Sequence, residues 1–260
     1  IISIYLQLNN VLLGFMKDTE AVGYFTAATK IMVITMSISS ALGAVIMPRT
    51  SNLIAEERMD EFKALVQKSY DFIFALAMPL MVGLIFTSPS AVLLLSGEGF
   101  VPAILTSQIV AFNILTVGLS GVMGIQVLYP LGKINIVILC TSIGAIINVF
   151  LNVLLIPRYG HNGTAVAYML AEMTVTVSMF FIGKRYIPIR FLKRQHLNYV
   201  LGSVVMGVCL YFISWLGLGN TATLVMMISM GGIVYVVILL FLRDSIGMIP
   251  WKILREKFGK

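Results

Sequence analysis

The stretch INIVILCTSIGAIINVFLNVLLIPRYGHNGTAVAYMLAEMTVTVSMFFIGKRYIPIRFLKR, residues 134–194, decides the fold. One apolar run covers 134–155 and a second covers 163–183. Each has the ~20 residues that cross a ~30 Å hydrocarbon layer as a helix. The break between them, 156–162, holds a single cation, Arg158. The break after them holds Lys184, Arg185, Arg190, Lys193 and Arg194. Two spanning helices joined by a cation-poor turn and followed by a cation-rich one form a hairpin with a defined orientation.

The same asymmetry runs along the whole chain. Apolar runs alternate with polar breaks, and Lys and Arg gather on every second break. One set holds Arg49, Arg58, Lys63, Lys68 and Lys133, the 184–194 cluster, and Arg243, Lys252, Arg255, Lys257 and Lys260. The other holds Lys17 and Arg158. Lysine and arginine resist translocation, so the rich side is read as cytoplasmic, with the C-terminus on that side.

Composition agrees. The chain is 59% hydrophobic and 11% charged, against about 25% charged in a soluble domain. The net charge of +7 is accounted for by basic loops facing anionic lipid, so no nucleic-acid partner is expected. Cys140 and Cys209 lie deep in separate apolar runs, as small buried hydrophobes rather than ligands.

The expected fold is all-α, a polytopic bundle of about eight membrane helices: 1–16, 21–46, 69–88, 103–128, 134–155, 163–183, 198–217 and 221–243. The first is short for a span at 1.5 Å per residue, about 24 Å, and reads as a truncated helix. Residues 51–67 alternate Leu53, Ile54, Phe62, Leu65 and Val66 with charged residues, as an amphipathic helix on the cytoplasmic surface, with Ser51 as its N-cap. The tail 248–260, with Trp251, reads similarly. Both are membrane anchors or partner sites. Pro79 is expected to kink the third helix, and Pro157 to end the fifth before a tight turn at Gly160 and Gly163.

Five helices carry polar residues on one face: Ser3, Gln7, Asn10 and Gly14; Thr26, Lys30 and Ser37; Thr106, Asn113, Thr116 and Ser120; Gly144, Asn148 and Asn152; Tyr168, Glu172 and Thr176. Polar faces turned to lipid are costly. They line a polar cavity, or they are interhelical hydrogen-bonding contacts. Lys30 and Glu172 stand at similar depth, about 14 Å from the same end. They are cavity groups or partners in an ion pair, or Lys30 snorkels to the surface. His161 and His196 stand alone at helix ends. No phosphate loop, nucleophile elbow or metal-ligand spacing occurs, so no cofactor, metal or catalytic residue is expected.

Three stretches carry a family resemblance: V-G-Y-F-T-A-A-T-K (22–30), P-R-T-S (48–51) and N-V-L-L-I-P-R-Y-G-H-N-G-T-A-V-A (152–167), with S-G-E-G-F (96–100) beside them. Together they resemble the Wzx-type oligosaccharide flippases, in the superfamily that also holds multidrug extruders and lipid II flippases. The resemblance implies the C-terminal half of a fourteen-helix, two-lobed transporter. Residues 1–183 would be its C-terminal lobe, and 184–260 two added helices and a basic tail. The implied cargo is a polyprenyl-pyrophosphate-linked oligosaccharide, moved across the bacterial inner membrane for surface polysaccharide assembly, with membrane lipids and the assembly machinery as partners. Lys30 would meet the anionic headgroup. Gln7, Asn10, Asn113, Asn148 and Glu172 would face the sugars. The rival from the same superfamily is a cation-coupled extruder of small amphipathic compounds, with Glu172 as its ion site. A membrane polymerase or ligase fits less well, because no external break is longer than 89–102.

Overall fold

The structure, a computed structural model, describes residues 2–191 and 193–242. Among the described residues there is no strand. The chain begins with α1 (Ile2–Met16) and α2 (Thr19–Ala55). Asp18 separates them, and its carboxylate accepts from Ala21 N (2.7 Å), satisfying one of the free amides at the start of α2.

α3 (Met59–Ser96) follows after a turn at 56–58, where Glu57 takes a left-handed φ of +58°. The amphipathic surface helix expected at 51–67 is therefore absent. Its residues belong to the ends of α2 and α3, which run on past the apolar zone. At 37 residues α2 is about 55 Å long, far more than a ~30 Å hydrocarbon layer needs. Charge appears on all sides of such an overhang because water surrounds it. Ser51 caps nothing; it sits inside α2 and donates to Met47 O (3.1 Å). α3 continues through Pro79 and Pro89 as one helix.

A short turn (Glu98–Phe100) leads to α4 (Ala103–Val110), α5 (Asn113–Gly121) and a π-helical segment (Val122–Leu128), which together make one apolar run. α6 spans Ile134–Gly183 and is really two antiparallel helices folded at Gly160, whose φ of +54° and ψ of −132° suit glycine. The first half continues through Pro157 to this point instead of stopping at the proline. Gly163 is required by close packing: a Cβ there would lie 2.6 Å from Leu155 O. α7 (Arg194–Ser214) and α8 (Asn220–Phe241) close the described chain as a hairpin. The expected basic tail, with Trp251, lies outside the described residues.

The all-α bundle is borne out. The eight expected segments correspond to α1, α2, α3, the α4 to π run, the two halves of α6, α7 and α8. Faces such as Ile146, Phe150, Val153 and Leu154 on α6, and Leu201, Val204 and Val208 on α7, stay exposed, as lipid-facing positions do. The larger apolar core joins α1–α6 and includes Phe25, Met32, Ile114 and Tyr168. A second core, with Met206, Leu210, Met227 and Tyr235, packs the α7–α8 hairpin on α3. Tyr235 fastens it by donating to Ala75 O (2.6 Å).

Candidate functional site

The polar residues read as one lining fall into two places. The first is an open face on α1 and α2. Gln7, Gly14, Lys30 and Ser37 are exposed there. Asn10 is half-buried and accepts from Thr26 Oγ1 at 3.4 Å, which ties the two helices together. Lys30 makes no ion pair among the described residues. The Lys30–Glu172 pairing is therefore not formed, because Lys30 points outward and Glu172 inward.

The second place is the interior of the α1–α6 core. Asn113 and Asn148 are fully buried, and Glu172 is 3% exposed. They do not face an open cavity. Asn152 Nδ2 donates to Asn9 Oδ1 (2.8 Å) and to Asn148 O (2.9 Å), with Asn148 Oδ1 at 3.2 Å. The bond to Asn9 is an interhelical contact that pins α1 to the first half of α6, while those to Asn148 stay within one helix. Asn9 was missed because Gln7 and Asn10 match the spacing of a face on which Asn9 does not lie. Glu172 Oε1 and both side-chain polar atoms of Asn113 have no partner.

Beside the open face lies an apolar groove of about 610 Å³ between α2, α3, α7 and α8. Ile34, Thr35, Pro79, Gly83, Met206, Gly231, Tyr235 and Leu239 are among its walls. Glycines at 83, 231 and 232 keep it open by withholding side chains. Lys30 and Ile34 are one turn apart on α2 and share a face. A cation without an ion pair among the described residues thus stands one turn from a residue that lines a hydrocarbon-walled slot.

Two further clusters close the ends of the bundle. Toward Lys17, Thr106 donates to Asn162 Oδ1 (2.8 Å) and contacts His161 Nδ1 (2.7 Å). The Tyr24 ring packs against both His161 (5.1 Å) and Phe100 (5.6 Å). At the opposite end Asp71 receives Lys193 Nζ (2.6 Å), His196 Nε2 (3.0 Å) and Gln67 Nε2 (2.8 Å). His196 stacks on Phe74 at 4.8 Å. This clamp holds the α6–α7 connection on α3 and fixes α7 where it walls the groove. Neither histidine stands alone, contrary to expectation. Their partners lie far along the chain, 55 residues for His161 and 125 for His196.

An all-helical bundle of spanning length, with buried amide contacts, an exposed cation and a lateral apolar groove, has the form of a multi-pass helical membrane transporter. Residues 4–242 match the family described as lipid II flippase MurJ, and the chain belongs to that family. The resemblance read from 22–30, 48–51 and 152–167 is thereby borne out. A solved structure of the lipid II flippase MurJ, in an inward closed conformation, superposes with a TM-score of 0.78 at 17% identity. It covers 94% of this chain and 52% of its own, a likeness of fold. A probable low-salt glycan biosynthesis flippase, Agl15, of Haloferax volcanii is 24% identical over 91% of this chain and 50% of its own length. A putative O-antigen transporter of Shigella dysenteriae is 24% identical over 68% of this chain and 44% of its own. The chain spans about half the length of the curated relatives it matches.

Proposed function

We propose that this chain is the C-terminal part of a flippase that carries polyprenyl-pyrophosphate-linked oligosaccharide units across the membrane, a transporter rather than an enzyme. The observation that carries the reading is the exposed Lys30 one turn from Ile34, which lines the apolar groove. A lipid-linked sugar needs both parts at once. Its prenyl chain gains by lying against hydrocarbon. Its pyrophosphate gains a charge-assisted hydrogen bond from an ammonium group. Gln7 and Asn10 on the same side of the bundle offer amides to sugar hydroxyls. The family and the names of the relatives support the same cargo class.

We place the protein in a bacterial inner membrane with the Arg185 end cytoplasmic, on the strength of the Lys and Arg asymmetry. The division into a lobe of residues 1–183 and an added hairpin is supported by the separate apolar core of α7 and α8. The extruder reading has buried Glu172 on its side. A coupling carboxylate would serve either cargo, however, whereas a cation beside a lipid-sized slot serves an anionic lipid.

The test is complementation by the full-length protein in a strain lacking its own flippase and making a matching glycan. Restored surface polysaccharide is the expected result. Protection from cationic dyes without any effect on glycan display would replace this reading with the extruder.

A further inference from the structure

A second cavity, of about 350 Å³, lies between α2, α3, α5 and the π segment. It shares no wall residue with the apolar groove. Met36 and Met47 both line it on α2, so it runs for about 16 Å along that helix. Gly118 and Gly121 line it on α5. A Cβ at Gly121 would meet nothing within 4 Å, so the glycine leaves space that a side chain could fill. Ile125, also a wall residue, is 51% exposed, so the surface of the bundle reaches the cavity there.

Two buried polar side chains stand among these apolar walls. Ser39 is 3% exposed, and its Oγ has no partner among the described residues. Other hydroxyls of α2, on Thr29, Thr35, Thr50 and Ser51, bond back to carbonyls of their own helix. Ser39 does not, although that bond is open to any helical serine. Gln126 is 2% exposed. Its Oε1 accepts from Ser69 Oγ (2.6 Å), which fixes the amide. Its Nε2 stands 3.6 Å from where a Cβ of Gly43 would lie, one turn along α2 from Ser39. Gln126 is carried by the π segment, where Tyr129 N bonds Gly124 O (2.8 Å), five residues back. Such widened turns are frequent at functional sites.

Buried polar groups without partners are rare, and two on the wall of one cavity ask for something between them. Water alone does not fit. A buried water needs about two to four polar partners and takes about 30 Å³. Ser39 and Gln126 could hold about one, and the cavity has room for many more. An ion does not fit either. None of the described wall residues is charged, and a hard cation takes about six or more oxygens. A largely apolar pocket with a few placed polar groups is the form of a site for a neutral, mostly hydrocarbon molecule. The two methionines can adapt to such a chain.

We propose that this cavity binds a neutral single-chain lipid that carries a hydroxyl at one end. The hydroxyl oxygen accepts from Gln126 Nε2, and its hydrogen or a second oxygen of the head serves Ser39 Oγ. The chain lies along the space left by Gly118 and Gly121, between the methionines. A bound chain wedges α2 against the π segment and holds their spacing. This site is separate from the Lys30 face and its groove, and it stands whether or not the protein carries lipid-linked sugars.

The test uses the purified full-length protein in lipid nanodiscs and a long-chain alcohol bearing a photoreactive diazirine. Mass spectrometry is expected to find saturable labelling in 36–47 and 117–126, competed by the unmodified alcohol. Gly121→Leu fills the cavity and should cut that labelling about tenfold or more. Its unfolding midpoint should stay at or above that of the wild type, because the new side chain enters open space. The alcohol should raise the midpoint of the wild type and leave that of Gly121→Leu unchanged. Ser39→Ala and Gln126→Leu should each weaken labelling severalfold. Should Gly121→Leu fail to fold, Ser39→Ala, which removes a single unpartnered hydroxyl, must show the loss by itself. Equal labelling in Gly121→Leu, or no saturable labelling at all, would overturn the proposal. So would equal labelling by a diazirine alkane without the hydroxyl, or by a fatty acid of the same length, since the cavity offers no cation to a carboxylate.

Discussion

The α2 face that holds Lys30 and the α6 face that holds Glu172 look alike in sequence. Each is an apolar helix with a polar stripe and one charge about 14 Å from the same end. The fold treats them oppositely. Lys30 is exposed and has Ile34 and the groove beside it. Glu172 is enclosed, away from any open face. The difference shows that a charge in a membrane helix can be kept for two separate ends. An open cation can meet something that arrives from outside. A closed carboxyl can only exchange what crosses the interior.

Breaking the buried charges should cost most. Asp71→Ala would leave Lys193 and His196 without their acceptor in the clamp. Removing one partner of a buried pair costs about 3 kcal/mol or more. Thermal denaturation of the detergent-solubilised protein should therefore shift strongly downward, and the α7–α8 hairpin should gain protease sensitivity. No shift would mean that the clamp does not hold the hairpin.

A smaller effect is expected for Asn152→Leu, which removes the bonds to Asn9 and Asn148. Of these only the bond to Asn9 is interhelical, and such a bond is worth ~0.6 kcal/mol and at most about 1.7. Reversible unfolding in mixed micelles, compared with Asn9→Leu and the double variant, should show the two substitutions coupled. Additive losses would separate α1 from this contact.

The smallest stability change belongs to the open face. Gln7→Ala and Ser37→Ala should leave the unfolding midpoint where it is, since neither side chain is buried. A loss comparable with that of Asn152→Leu would show that this face is covered in the folded protein, and the comparison would fail.

Helix existence was legible because membrane spans declare themselves by length and apolarity. Their hinges were legible where chemistry forces them, as at Gly160. Facing was harder to read. In water the apolar side of a helix must turn inward, but in lipid both sides are apolar and polarity alone does not say which residues pack. Asn9 and Asn10 are adjacent, and only tertiary packing decides that Asn9 goes inward. The overhanging ends of α2 and α3 were mistaken for a surface helix because charge alternation looks the same on an overhang as at an interface. Asp71 and His196 were passed over because each is an ordinary interfacial residue alone. A lone Asp just inside one span and a lone His at the start of another is the signal that could have paired them.

The most direct test of the account is the Lys30 series, measured for transport and for stability in the same preparations of full-length protein. Lys30→Ala should express, insert and unfold as the wild type does, while transport of the lipid-linked glycan falls about tenfold or more, the scale of one lost charge-assisted hydrogen bond. Lys30→Arg should keep much of the activity, since it keeps the cation with altered geometry. Normal transport by Lys30→Ala, or a collapse of stability rescued by adding Glu172→Ala, would contradict the account and return Lys30 to a surface or structural role.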